Sequence, residues 1–170
     1  MNWICKTLLI CLSFNPVMDY TNNNEFIEDV RACTIHLNSM YPEHERVPVD
    51  LVIAQSIHES AWGRSRFAVE GNNLLGIRTF DPADDQIKPM NKPNASWGLR
   101  IFETKCESIS YYIELLNNSH HYNKFREERL LQYINDIVDP ERLAKTLAIY
   151  AEDVYYTQKI IRTLRELNDN

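Results

Sequence analysis

The chain has 170 residues, 44% of them hydrophobic and 25% charged, which is enough for one globular domain with a sizeable core. Its four glycines are too few for flexible linkers, glycine-rich phosphate cradles or collagen-like architecture, and a formal net charge of −6 argues against nucleic acid as a main partner. Three of those glycines, Gly63, Gly71 and Gly76, fall within fourteen residues, so special backbone geometry is concentrated there.

Residues 1–14, MNWICKTLLICLSF, carry one Lys and an apolar run too short for a stable membrane span of about 20 residues. Residues 1–20 read as a compact secretory signal or, alternatively, as a buried or frayed terminal segment. Cys5 and Cys11 lie inside it, leaving Cys33 and Cys106 free to form a single disulfide in an oxidising compartment. No CxxC or Cys/His ligand spacing points to structural zinc.

Phe26, Val30, Cys33, Leu37 and Met40 recur at helical spacing and predict a first amphipathic helix. Pro48 opens a second, through Leu51, Ala54, Ile57 and Ala61, with Gly63 placed to end it. Leu74 to Phe80 and Trp97 to Phe102 pair as a small hairpin, joined by a loop with Pro82, Pro89 and Pro93. Thr104 and Glu107 form a capping box for a helix through Cys106, Ile109, Ile113 and Leu116. Leu130, Tyr133, Ile134 and Ile137 continue the pattern, with Arg126 and Arg129 as surface charges. Asp139-Pro140 starts a helix with Leu143, Leu147 and Tyr150, and Asp153 caps a last one through Val154, Ile161, Leu164 and Leu167. The expected class is α+β, mainly α, with a small β-hairpin lobe.

Gln55, Glu59 and Trp62 are four and three residues apart, along one side of the second helix near its carboxyl end. Partial negative charge at that end and an indole that removes water both raise a carboxyl pKa, and a carboxyl kept protonated near neutral pH serves as a general acid. His58 next to Glu59 does not make a zincin, because Trp62 stands where that pattern requires His. His120-His121 reads as a polar helix boundary, and the stripe of Tyr111, Tyr112, Tyr155 and Tyr156 as packing.

The run AQSIHESAWGRSRFA followed by EGNNLLGI resembles the endo-β-N-acetylglucosaminidase family of bacterial wall hydrolases, glycoside hydrolase family seventy-three, in its Bax-type branch. Ala54, Gln55, Glu59, Ser60, Trp62, Gly63, Asn72, Asn73, Leu74 and Gly76 meet the family pattern, with Leu75 in place of the usual Phe. FETKCESISYYIELL from Phe102 and YAEDVYYTQKII from Tyr150 are similar to its next helix and its closing pattern, so the match runs over about residues 45–167.

The resemblance implies a lysozyme-like fold, in a domain over residues 21–170, that cleaves peptidoglycan glycan strands after N-acetylglucosamine; the expected state is a monomer, periplasmic, in the cell envelope or secreted if the amino-terminal segment is a signal. Glu59 falls at the catalytic acid, and Tyr150 and Tyr156 at aromatic positions beside it. Gln55, Trp62, Asn72 and Asn73 fall where the cleft is shaped and sugars are positioned. A second carboxylate comes from the lobe, which offers Asp81, Asp84 and Asp85, a cluster that also reads as a solvated turn, with Asp84 and Asp85 kept as site residues, or the substrate's own acetamido group takes its place. This chemistry requires no metal or organic cofactor. The competing readings are hydrolysis of N-linked glycans, hydrolysis of wall-peptide amides, and a glycan-binding envelope protein without turnover.

Overall fold

A computed structural model describes residues 20–150 and 153–169. Of the amino-terminal segment expected over residues 1–20, all but Tyr20 lies outside the described residues. The helices in chain order are α1 (Asn23–Asn38), α2 (Val49–Ser60), α3 (Arg66–Gly71), α4 (Lys105–Asn118), α5 (Asn123–Ile134), α6 (Pro140–Thr146) and α7 (Tyr156–Asn168). Three short strands, β1 (Arg78–Thr79), β2 (Gln86–Ile87) and β3 (Gly98–Arg100), make the lobe between α3 and α4.

Helix α2 is the axis of the fold. Every residue from Leu51 to Ile57 is buried, because α1, α6 and α7 pack around it. A helix apolar on nearly all sides belongs in the interior, and here it carries only Gln55 and Ser56 as polar residues in that run. It stops at Ser60, three residues before Gly63. Ala61, Trp62 and Gly63 then take left-handed backbone angles in succession, with φ of 52°, 60° and 70°. For Ala61 and Trp62 this costs roughly 1–2 kcal/mol each. The turn is held by hydrogen bonds from Trp62 N to Ile57 O (3.1 Å), from Gly63 N to Ser60 Oγ (2.7 Å) and from Ser65 N to Ser60 O (2.8 Å). A side chain at position 63 would be strained by the positive φ and would displace Tyr20, since a Cβ there would lie 1.6 Å from the Tyr20 hydroxyl oxygen.

The capping signals act much as the sequence implies. Thr104 Oγ1 accepts from Glu107 N at 3.1 Å, while the Glu107 carboxylate accepts from Glu103 N at 2.8 Å rather than from the cap residue itself. Asp139 Oδ1 accepts from Arg142 N at 2.9 Å at the start of α6. Asp153 Oδ1 accepts from Tyr155 N at 2.9 Å, but α7 begins only at Tyr156 and Val154 stays outside it. Cys33 of α1 and Cys106 of α4 form the disulfide, their Cα atoms 5.8 Å apart.

The expected pairing of the two lobe segments is present as β1 with β3, and a further strand joins it, giving a three-stranded antiparallel sheet in which Leu99 of the central β3 pairs with both Arg78 and Ile87. Two residues of β2 are too few to show a period in sequence. The expected apolar face of Leu130, Tyr133 and Ile134 in α5, continued by Ile137 beyond its end, needs correction: it points outward, and the buried residues of the helix are Phe125, Arg129 and Gln132. Arg129 is therefore not a surface charge. Its guanidinium donates to Glu45 O at 2.8 Å, while Gln132 exchanges two hydrogen bonds with the Asp139 backbone. Arg126 likewise holds the ends of neighbouring elements, donating to Leu116 O and Ser119 O.

Candidate active site

Glu59, the penultimate residue of α2, lines a cleft of about 290 Å³ with Gly76, Ile77, Arg78, Tyr111, Leu115, Tyr122 and Tyr150. Burial raises its carboxyl from the ordinary 4.5 to about 7, against the opposing effects of a hydrogen bond from the Tyr156 hydroxyl and the charge of Arg78. Burial also pushes the hydroxyls of Tyr112, Tyr122, Tyr150 and Tyr156 up, so all four stay neutral beside the acid.

A chain of hydrogen bonds fixes the acid. The Tyr112 hydroxyl donates to Gln55 Oε1, and Gln55 Nε2 donates to the Tyr156 hydroxyl oxygen at 2.8 Å. The Tyr156 hydroxyl, its oxygen accepting from Gln55, in turn favours the ionised form of the Glu59 carboxyl. Tyr150 donates to Leu75 O at 2.6 Å and stacks on Tyr156 at 6.1 Å between ring centroids. Gln55 thus meets Glu59 through a tyrosine, from inside the core.

Trp62 does not share the cleft. The spacing argument requires the helix to continue through position 62, and the left-handed turn after Ser60 instead swings the indole against Phe26 and into a groove with Ile27, Arg31, Thr163 and Leu167. That groove, at about 560 Å³, is larger than the one holding Glu59. The side chains that keep water from Glu59 are tyrosines rather than an indole. His58 faces α7, its Nε2 2.9 Å from Thr163 Oγ1.

Asn72 and Asn73 are staples. Asn72 is the left-handed cap of α3 and donates to Phe102 O and Glu103 O, both at 3.0 Å. Buried Asn73 donates to Ile77 O and Arg100 O and accepts from Ile77 N, all at 2.9 Å. They lock the Gly76–Arg78 wall to β3. Gly76 has φ of +63°, and a Cβ on it would sit 2.9 Å from Glu59 Oε2. Gly76→Ala is therefore expected to displace the acid, lowering activity at least tenfold while costing about 1–2 kcal/mol of stability. Steady-state kinetics beside thermal melting checks this, and an unchanged kcat would contradict it.

In the lobe, Asp84 accepts from Thr79 Oγ1 at 2.5 Å and pairs with Arg100 at 3.5 Å. Asp85 is exposed, and its backbone carbonyl accepts from Ile101 N at 2.9 Å. Neither lines the cleft with Glu59. Among the described residues, no group of three or more His, Cys, Asp or Glu side chains converges in a way that could hold a metal ion. Nor is any helix among them long and apolar enough to cross a membrane.

Sequence reasoning missed Arg78, Tyr122 and the cleft position of Tyr111. The tyrosine stripe was the available signal, but its members divide: Tyr112 and Tyr156 are buried, Tyr111 borders the cleft and Tyr155 is exposed.

The family model described as mannosyl-glycoprotein endo-β-N-acetylglucosaminidase matches residues 38–169. Protein bax of Escherichia coli (strain K12) is 29% identical over 92 residues, covering 54% of this chain and 32% of that protein. Exo-glucosaminidase LytG of Bacillus subtilis (strain 168) is 26% identical over 131 residues, covering 74% of this chain and 45% of that one. The chain thus spans less than half the length of these curated relatives. Among solved structures, the catalytic domain of the autolysin Auto from Listeria monocytogenes superposes with a TM-score of 0.63 at 18% identity, covering 95% of this chain and 91% of that one. The glycoside hydrolase domain of Salmonella typhimurium FlgJ gives 0.60 at 16%, covering 88% and 99%. The mainly α, lysozyme-like fold with a small β lobe is that of these neighbours. With the family match taking in the whole of the cleft around Glu59, the chain belongs to the glucosaminidase family, glycoside hydrolase family seventy-three.

Proposed function

We propose that this protein cleaves the β-1,4 glycosidic bonds that follow N-acetylglucosamine in peptidoglycan strands, with Glu59 as general acid. The observation that carries the reading is a carboxyl held near pKa 7 by burial, in a cleft walled by Tyr111, Tyr122 and Tyr150. At neutral pH a large fraction of such a carboxyl keeps its proton. It protonates the leaving glycosidic oxygen as the bond to the anomeric carbon breaks, and the resulting carboxylate then takes a proton from the incoming water.

Positive charge developing on the sugar needs a partner. Glu59 is the one carboxylate lining the cleft among the described residues, and Asp84 is committed to Thr79 and Arg100. This supports assistance by the substrate: the 2-acetamido oxygen closes on the anomeric carbon, and water reopens the ring. Asp84 and Asp85 are then supports of the lobe. Tyr150 and Tyr156 hold the acid and exclude water, Gln55 orients Tyr156, and Asn72 and Asn73 shape the wall on which the sugar rests. No metal or organic cofactor enters these steps. The protein is read as acting as a monomer, and the Cys33–Cys106 disulfide supports an oxidising location such as the envelope or the exterior.

The test incubates purified protein and Glu59→Gln with peptidoglycan and identifies products by mass spectrometry. New N-acetylglucosamine reducing ends that vanish in the variant are expected. Free peptides would replace this reading with an amidase, and no product from either protein would leave a binding module. Cleavage of N-linked glycans alone would move the activity to glycoproteins.

A further inference from the structure

The cleft does not end at Glu59. It shares Tyr111 and Leu115 with a second cavity of about 330 Å³, whose remaining lining is Glu114, Asn118 and Ser119. Tyr111, Glu114, Leu115 and Asn118 are three, one and three residues apart on α4, so they occupy one face of that helix. The two cavities together form a trough that starts at the acid and follows α4 to its carboxyl end.

Tyr111 stands at the junction, and the lobe holds its ring in place. The Arg100 guanidinium lies 5.0 Å from the ring centroid and Phe102 lies 5.7 Å away, tilted by 58°. Arg100 is itself tied to Asp84, and Asp84 to Thr79. A ring braced in this way loses little freedom when a ligand packs on it, so contact made there is retained as affinity. A pyranose suits such a platform, because it offers a C–H face to an aromatic ring and hydroxyl and acetamido groups at its edge. Beyond Tyr111, Glu114 offers acceptors, and Asn118 offers both donors and an acceptor.

Building on the glycan reading above, we propose that Tyr111 is the platform for a saccharide unit beside the scissile bond. The strand runs from there along α4, with Glu114 and Asn118 bonding to its substituents. Asp84 acts through Arg100 as a positioning residue for the ring.

The test compares wild type, Tyr111→Ala, Tyr111→Phe and Asp84→Asn on long glycan strands, with thermal melting to confirm folding. Tyr111→Ala is expected to raise KM roughly tenfold, the range set by aromatic contacts, with the pH profile unmoved. Tyr111→Phe should restore wild-type KM, and Asp84→Asn should raise it by less than Tyr111→Ala. An unchanged KM in Tyr111→Ala, or a Tyr111→Phe variant as impaired as the alanine, would overturn the proposal. A shifted pH profile would overturn it too, since Tyr111 would then be acting on Glu59. Strand binding by Glu59→Gln and by Glu59→Gln/Tyr111→Ala gives a readout that needs no turnover. Weaker binding by the double variant supports the platform even if wild type cleaves nothing, whereas equal binding refutes it.

Discussion

Glu59→Gln is expected to lose glycan cleavage by roughly 10²–10⁴-fold, the range of a general acid, and at the same time to become more stable in mild alkali. The second effect follows from the carboxyl's raised pKa of about 7 against an ordinary 4.5. Between these values the folded protein keeps a proton that the unfolded chain has released. Stability therefore falls as pH rises through that window and stays reduced above it. Closing the window is worth on the order of 3 kcal/mol. Gln is neutral throughout and still accepts the Tyr156 hydrogen bond, so the variant should exceed wild type by about that much at pH 8 and match it at pH 4. Urea denaturation at the two pH values checks this. Equal stability at pH 8 would mean that the carboxylate is solvated rather than buried.

Loss of the disulfide is the second large effect. Cys33 and Cys106 are separated by 73 positions, and opening a loop of that size is worth about 4 kcal/mol on the chain-entropy account. Against a total stability of roughly 5–15 kcal/mol this is a large share. Cys33→Ala/Cys106→Ala, or wild type in reductant, should melt roughly 10 °C lower. Neither cysteine lines the cleft, so activity well below the melting temperature should persist. A melting temperature insensitive to reductant would remove the disulfide from the account of stability.

Much of this architecture is legible from local chemistry. Thr104, Glu107, Asp139 and Pro140 mark helix starts because capping depends on residues within one turn, and the structure uses them so. Glu59 is legible through the resemblance and its place near the end of α2. Trp62 shows where spacing stops being informative. Its i, i+3 relation to Glu59 holds only on a continuous helix, and the reversal of backbone hand at Ala61 depends on contacts made by Tyr20, Ser60 and Gly63, remote from any periodic signal.

The same limit applies elsewhere in the chain. The outward face of α5 looks like a core stripe because its true anchors, Arg129 and Gln132, are polar residues that bond to backbone atoms of Glu45 and Asp139. Tyr112, Tyr122 and Tyr150 come from different segments, and only folding brings them around one acid. Asn72 and Asn73 read as a turn or a sugar contact in sequence, and their distant partners, Phe102, Glu103 and Arg100, are visible only in three dimensions.

The central claim is that this tyrosine-lined cleft keeps the Glu59 carboxyl protonated near neutral pH. Titration of the ¹³C-labelled Glu59 side-chain carboxyl by NMR, assigned through Glu59→Gln, measures it directly. A midpoint close to 7 is the predicted result. A midpoint at the ordinary value of 4.5 would contradict it, and with it the role of Glu59 as the proton donor.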